Sequence, residues 1–305
     1  MAKSAKEFNI YDYVTNTILA ALEAGTVPWR QCWTGESLGV PLPLRATGEA
    51  YRGINVLMLW VQAHEKGYCS PTWMTYKQAR DLGGQVRKGE KSTTVVKYGT
   101  YEAKGEVEGR DGDEGQTRAY ARAYRVFNVE QIDGLAEPFY RKAEAPRDLG
   151  TEADPALEDW FDRLGIGIDT SEDPRAYYRP STDRIHMPPI ATFESASQFY
   201  GVLAHESAHA TKAPHRLDRK HTGLSAERYC KEEVVAELTA ALVATRLGIE
   251  THYDQNAAYL QHWIDAMKAD NRAVIKAASM AQAACDWMFE TAGELSLPVA
   301  AQIAA

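Results

Sequence analysis

The residues best equipped for chemistry lie in VLAHESAHATKAPHRLDR, residues 202–219, where His205-Glu206-Ser207-Ala208-His209 forms an H-E-x-x-H pattern. Two histidines four residues apart share one face of a helix. Both imidazoles can therefore reach a single tetrahedral zinc, and the intervening glutamate can reach a water at the same ion. The chemistry expected of such a set is hydrolysis. Zinc polarises a scissile carbonyl, and Glu206 takes the proton of the attacking water and returns it to the leaving amine. Another divalent metal could use the same donors. The small and apolar residues around the motif imply a largely buried helix, in which histidines and a carboxylate are costly without a shared partner.

A third protein ligand would leave the fourth position open, and the sequence offers several. His215 completes H-E-x-x-H-x-x-G-x-x-H, except that Lys212 stands where that arrangement uses glycine for a sharp turn. Downstream, KEEVVAELTAALVATRLG reads as a helix with Glu233 and Glu237 one turn apart and Val234, Leu238, Ala241 and Leu242 on its buried face. Glu233 is the expected ligand and Glu237 the expected hydrogen-bond partner of a liganding histidine, with Glu232 pointing away. Tyr259 or His262, on a later helix, could hydrogen-bond a developing oxyanion.

These groups need a frame. Ser195 followed by Gln198 resembles a capping box and would start the metal helix just before Phe199. Ahead of it, AYYRPSTDRIHMPP reads as two extended segments around a turn at Pro180-Asp183, and an edge strand there could hold an extended peptide beside the metal. A short helix is expected around Leu157–Leu164. In the first half, Ile10, Val14, Ile18 and Leu22 predict an amphipathic helix ending near Ala24, with further helices over Tyr51–Lys66 and Tyr76–Leu82. STTVVKYGTYEA and RAYARAYRVFNVEQI have the alternation of paired strands, joined by an acidic, glycine-rich hairpin loop. The mixed, proline-containing stretch Ala136–Leu157 is read as the domain boundary.

With 305 residues and 45% hydrophobic composition, the chain can bury a core large enough for two domains. A net charge of -8 excludes a protein that coats duplex DNA with its whole surface, so any nucleic-acid site must be local. Such a locality exists. Between Trp73 and Tyr101 lie Lys77, Arg80, Arg87, Lys88, Lys91 and Lys97 against Asp81 and Glu90, interleaved with Tyr76 and Tyr98. Cations can follow a phosphate backbone while aromatic rings stack on unpaired bases, and neither contact requires a particular sequence. Trp73, Tyr76, Lys77, Arg80, Arg87, Lys88, Lys91 and Lys97 are therefore the candidate single-stranded-DNA residues. The four cysteines contain no C-x-x-C pair, so neither a disulfide framework nor a cysteine metal site is expected. With no apolar run of membrane-spanning length, a cytoplasmic protein is expected.

YYRPSTDRIHMPP, HESAHATKAPHRLDR and EEVVAELTAALVATRLG together resemble the zincin-type metallopeptidase domain of the ArdC antirestriction family, found on conjugative plasmids and related mobile elements. Residues 24–29 (AGTVPW), 51–55 (YRGIN), 73–76 (WMTY) and 124–129 (YRVFNV) are similar to that family's single-stranded-DNA-binding domain, which also resembles part of some plasmid primases. The resemblance implies an α+β protein of two domains. Residues 1–140 would bind single-stranded DNA on helices packed over a small antiparallel sheet, 141–154 would link, and 155–305 would form a zincin-like metallopeptidase fold. It further implies an antirestriction role, with a peptide or protein as possible substrate. The other readings are an intracellular zinc endopeptidase without a DNA role and a primase-associated replication accessory. Priming would need clustered acidic metal ligands in the first half, and the sequence places none there.

Overall fold

The structure, a computed structural model, describes residues 9–27, 41–102, 117–142, 145–220, 225–250 and 257–295. Helix α1 (Ile10–Glu23) starts where the Asn9 side chain accepts the main-chain N–H groups of Tyr11 and Asp12, which supplies partners for two of the helix's free donors. Its buried stripe is Val14, Ile18 and Leu22, as the spacing predicts. After β1 (Leu44–Arg45) comes α2 (Ile54–Lys66), closed by Gly67 in the left-handed conformation. There follow β2 (Thr72–Met74), α3 (Tyr76–Asp81), β3 (Gln85–Val86), β4 (Thr93–Glu102), β5 (Thr117–Asn128) and β6 (Ile132–Asp133).

The main sheet runs in the order β1-β2-β5-β4. Its largest part is the antiparallel β4–β5 ladder, in register from Thr93↔Val126 to Glu102↔Thr117. The expected second strand ends early, because Asn128 and Gln131 cap each other across a 3-10 turn at Val129–Gln131, and Ile132 then pairs with Val86 instead. The acidic hairpin loop lies outside the described residues.

The second half opens with α4 (Pro155–Asp162), then β7 (Gly167–Thr170), β8 (Tyr177–Arg179) and β9 (Arg184–Met187). These strands form a sheet in the order β7-β9-β8, with β7 parallel to β9 and β8 antiparallel to it. The chain continues through α5 (Ala196–Ala210), α6 (Ser225–Leu247), α7 (Ala257–Ala269) and α8 (Ala273–Ala292). Helices and sheets thus occur in both halves, an α+β arrangement.

One apolar core runs through both halves: Ile18, Leu57 and Val96 belong to the same buried cluster as Trp160, Leu203, Leu238 and Phe289. Helices α1 and α2 pack against α7 and α8. The Thr15 hydroxyl donates to the carbonyl of Asn271 at 2.7 Å, Arg52 pairs with Asp286, and the Gly53 N–H donates to Gln282 at 2.9 Å. Asn55 completes the YRGIN motif: its side chain takes the N–H of Val96 at 2.7 Å and gives to its carbonyl at 2.8 Å. Since β4 is the outer strand of its sheet, the amide stands in for a missing strand neighbour. Within the expected linker, the Arg147 N–H donates to the carbonyl of Gly248 at 2.9 Å, and its guanidinium pairs with Asp154 at 3.0 Å. No helix among the described residues is long and apolar enough to cross a membrane.

Candidate metal centre and basic face

The Ser195 hydroxyl accepts the Gln198 N–H at 3.1 Å and so starts α5, while the Gln198 side chain turns back to the N–H of Glu194 rather than Ser195. Only the forward half of a capping box is therefore present. Helix α5 lies along α6, and three side chains converge between them. His205 Nε2 and His209 Nε2 are 3.1 Å apart, and Glu233 places one oxygen 3.5 Å from the former and the other 3.4 Å from the latter. Zinc with bonds of about 2.0–2.1 Å in tetrahedral geometry needs donors about 3.4 Å apart, so the separations fit the ion without rearrangement. All three donors lie within 4.8 Å of one another, and theirs is the one such cluster among the described residues. Two imidazoles and one carboxylate suit an open, hydrolytic divalent site.

The electrostatics agree with a site built for a cation. Burial disfavours charge on His209, but its hydrogen bonds to the Glu232 and Glu233 carboxylates outweigh it and raise the imidazole to about 9. Burial likewise opposes charge on Glu233, yet its bonds to both histidines hold the carboxyl well below the usual range. A divalent ion held there would take the place of the imidazolium proton and keep the Glu233 carboxylate as a ligand.

Glu206 is buried beside this cluster, and its carboxylate accepts the main-chain N–H of Tyr178 at 2.7 Å. Strand β8, at the edge of its sheet, thereby fixes the orientation of the motif's glutamate. The strand is itself braced: Asp183, at a φ of 52°, accepts the Tyr178 hydroxyl at 2.8 Å and the two arms of Arg216 at 2.6 and 2.9 Å. His215 joins this brace, exposed and 3.2 Å from Asp183, and stands outside the histidine pair. Lys212 occupies its turn without strain, its N–H donating to the carbonyl of His209 at 3.1 Å.

The geometry corrects the expectation for Glu232, which turns inward. Glu232, expected to point away, is buried with an oxygen 3.4 Å from His209 Nδ1. Glu237, expected to hold a histidine, lies half-buried one turn further along α6. Successive helix positions differ by about 100°, so Glu232 and Glu233 both flank the line facing α5. The helical pattern cannot tell which neighbour of Glu233 turns inward. That depends on Arg219, which the sequence reading missed: its guanidinium pairs with Glu232 at 2.6 Å. The side chains of Tyr259 and His262 lie outside the described residues.

The basic stretch divides on inspection. Trp73 is 1% exposed and meets Tyr68 edge-on at 5.7 Å between centroids; it is a core residue and cannot stack on a base. Arg87 is committed within the chain, pairing with Glu90 at 2.8 Å and Asp133 at 3.4 Å and donating to the carbonyl of Glu130 at 2.6 Å. Tyr76, Lys77, Arg80, Lys88, Lys91 and Lys97 are exposed. Tyr76 and Lys88 border an open depression of about 640 Å³ together with Gln85, Phe127 and Asp133.

The sequence reading also missed the partner strand. Arg122 lies directly opposite Lys97, and Tyr124 opposite Val95; Arg122 and Tyr124 are exposed. Like charges facing across a ladder are unfavourable, a cost that an anion between them would remove. The signal was there in YARAY, where Tyr120, Arg122 and Tyr124 alternate with alanines and so share one face.

Residues 8–127 match the N-terminal domain of anti-restriction factor ArdC, and residues 155–280 match a zincin-like metallopeptidase. The metal-free crystal structure of the antirestriction ArdC protein from the R388 plasmid is 48% identical, with a TM-score of 0.83 over 95% of this chain and 100% of that one. This chain belongs to the ArdC family. The Mn(II)-bound structure of the R388 protein is 47% identical with a TM-score of 0.80 and the same coverage, 95% and 100%. Protein y4eC of Sinorhizobium fredii is 39% identical over 288 residues, 92% of this chain and 91% of its own length. DNA primase TraC of Escherichia coli is 36% identical over 303 residues, but this ArdC family member spans 27% of its length.

Proposed function

We propose that this chain is an antirestriction protein that binds single-stranded DNA through its N-terminal half and carries a metal-dependent peptidase in its zincin-like half. The observation that supports the peptidase most strongly is the convergence of His205 Nε2, His209 Nε2 and Glu233 at 3.1–3.5 Å beside the Glu206 carboxylate. His205, His209 and Glu233 would hold the ion. A bound divalent metal, zinc or manganese, supplies Lewis-acid polarisation to a carbonyl and to the attacking water. Glu206, oriented by Tyr178, accepts the proton of that water and delivers it to the leaving amine. Strand β8 lies beside Glu206, and its outward main-chain groups other than the Tyr178 N–H, which that carboxylate occupies, remain for an extended peptide. The primase-accessory reading is disfavoured because, among the described residues, no second cluster of potential ligands exists to serve nucleotide chemistry.

Tyr76, Lys77, Arg80, Lys88, Lys91 and Lys97, with Arg122 and Tyr124 from the partner strand, form the nucleic-acid face. Exposed cations hold phosphates and exposed rings stack on bases at about 1–3 kcal/mol each. Protection of DNA by occlusion would need no proteolysis, so two measurements separate the activities. Glu206→Ala should retain metal and oligonucleotide binding while losing peptide hydrolysis. The protein should prefer single-stranded to duplex oligonucleotides, with affinity falling steeply as salt rises, and Lys88→Ala with Lys91→Ala should flatten that dependence. Loss of metal from Glu206→Ala would overturn its assignment as base. Indifference of binding to salt would overturn the phosphate-binding face.

A further inference from the structure

Arg219 and Glu232 form a nearly dry ion pair, with side chains 5% and 4% exposed. Glu232 Oε1 is shared: it lies 2.6 Å from Arg219 Nη2 and 3.4 Å from His209 Nδ1. Arg219 Nε reaches the other carboxylate oxygen at 3.3 Å. The remaining donors of the guanidinium go to the end of the metal helix, Nη1 to the Thr211 hydroxyl at 2.7 Å and Nη2 to the carbonyl of Ala208 at 3.0 Å. Thr211, itself fully buried, donates to the same Ala208 carbonyl at 2.6 Å. One side chain thus ties the last turn of α5 to a carboxylate on α6, at the residue preceding the third candidate ligand.

A buried ion pair of this kind is poor evidence of stabilisation, because the desolvation of both charges offsets their attraction. Its placement identifies another use. An imidazole that ligates through Nε2 must be held in one ring orientation and one tautomer, and an acceptor at Nδ1 does both. The carboxylate can do so only if its own position is fixed, and at 3.4 Å the His209 contact is too long to fix it. The Arg219 fork does.

Resting on the metal-centre reading above, we infer that Arg219 is a positioning residue for the metal: by clamping Glu232 against His209 Nδ1 and against the end of α5, it aims His209 Nε2 at the ion. Glu232 is its intermediary, and neither side chain touches the metal.

The test uses the full-length protein and Zn(II), with affinity measured by competition against a chromophoric chelator and the thermal midpoint of each metal-free variant measured in parallel. Glu232→Gln and Arg219→Gln should each weaken Zn(II) binding about 10–100-fold, the usual effect of removing a support of a liganding histidine. Either variant loses stability by leaving a buried charge unpaired, so Arg219→Met combined with Glu232→Leu is the deciding protein. It replaces both charges by apolar groups of similar volume, a change that is commonly neutral or stabilising. It also removes the acceptor from His209. The inference requires the thermal midpoint to recover while Zn(II) binding stays weak. Recovery of both would show that the pair is structural only and overturn the inference, as would unchanged affinity in the single variants. His209→Ala separates this from the underlying reading: if it too leaves Zn(II) binding intact, the metal centre itself is misplaced.

Discussion

Asn55→Ala should be among the most destabilising single changes outside the apolar core, although it removes only a small polar side chain. Its amide satisfies both main-chain groups of Val96, at 2.7 and 2.8 Å, and Val96 is 4% exposed. Truncation leaves one donor and one acceptor without partners on the outer strand of the sheet. Each buried group so orphaned costs about 1–3 kcal/mol, and entry of water into the gap left by the amide recovers part of this. The expected loss is about 2–4 kcal/mol. At about 2–4 °C per kcal/mol, the midpoint should fall by about 4–16 °C in thermal unfolding followed by circular dichroism. Asn55→Asp keeps the acceptor for the Val96 N–H but sets a carboxylate against its carbonyl, so it should be no more stable than the alanine variant. A denaturant series adds a check: the midpoint should move with the slope unchanged. An alanine variant within 0.5 kcal/mol of the parent would refute the argument that this amide replaces a strand.

His215→Ala should keep full metal content by elemental analysis, because His215 is paired with Asp183 at 3.2 Å; loss of metal would make it the third ligand. Gly84→Ala should cost about 1–3 kcal/mol by overpacking, since an added methyl would stand 2.6–2.8 Å from Leu135 and Ile132, and unfolding in urea measures this. Burial pushes the Cys285 thiol up to about 12, so its reactive thiolate is scarce at pH 8; mass-spectrometric mapping after brief alkylation should find Cys285 unmodified in the folded protein and modified after unfolding.

The metal helix was legible because its chemistry is local: a four-residue spacing on one helix fixes the relative direction of His205 and His209 whatever surrounds them. Glu233 was a candidate for a related reason, being one of two glutamates a single turn apart on a second helix with an apolar face, and the structure brings it to the two histidines. Glu232 and Trp73 were not, because each depends on what packs opposite. Glu232 turns inward to meet Arg219, thirteen residues earlier in the chain, and no helical period encodes that meeting. Trp73 sits in a run of cations, but β2 lies inside its sheet between β1 and β5, and linear charge density says nothing about which residues a sheet covers. The shared core was hidden in the same way. The stripe on α1 announces that Val14 and Ile18 are buried, without saying that α7 and α8 of the other half lie against that helix.

A single divalent metal held between α5 and α6 is tested most directly by anomalous diffraction from crystals of the full-length protein grown with Zn(II), recorded on both sides of the zinc edge. One strong peak is expected in contact with His205 Nε2, His209 Nε2 and a carboxylate oxygen of Glu233, with Glu206 and Glu232 outside bonding distance. A peak at His215 and Asp183, or ligation by Glu237 in place of Glu233, would contradict it.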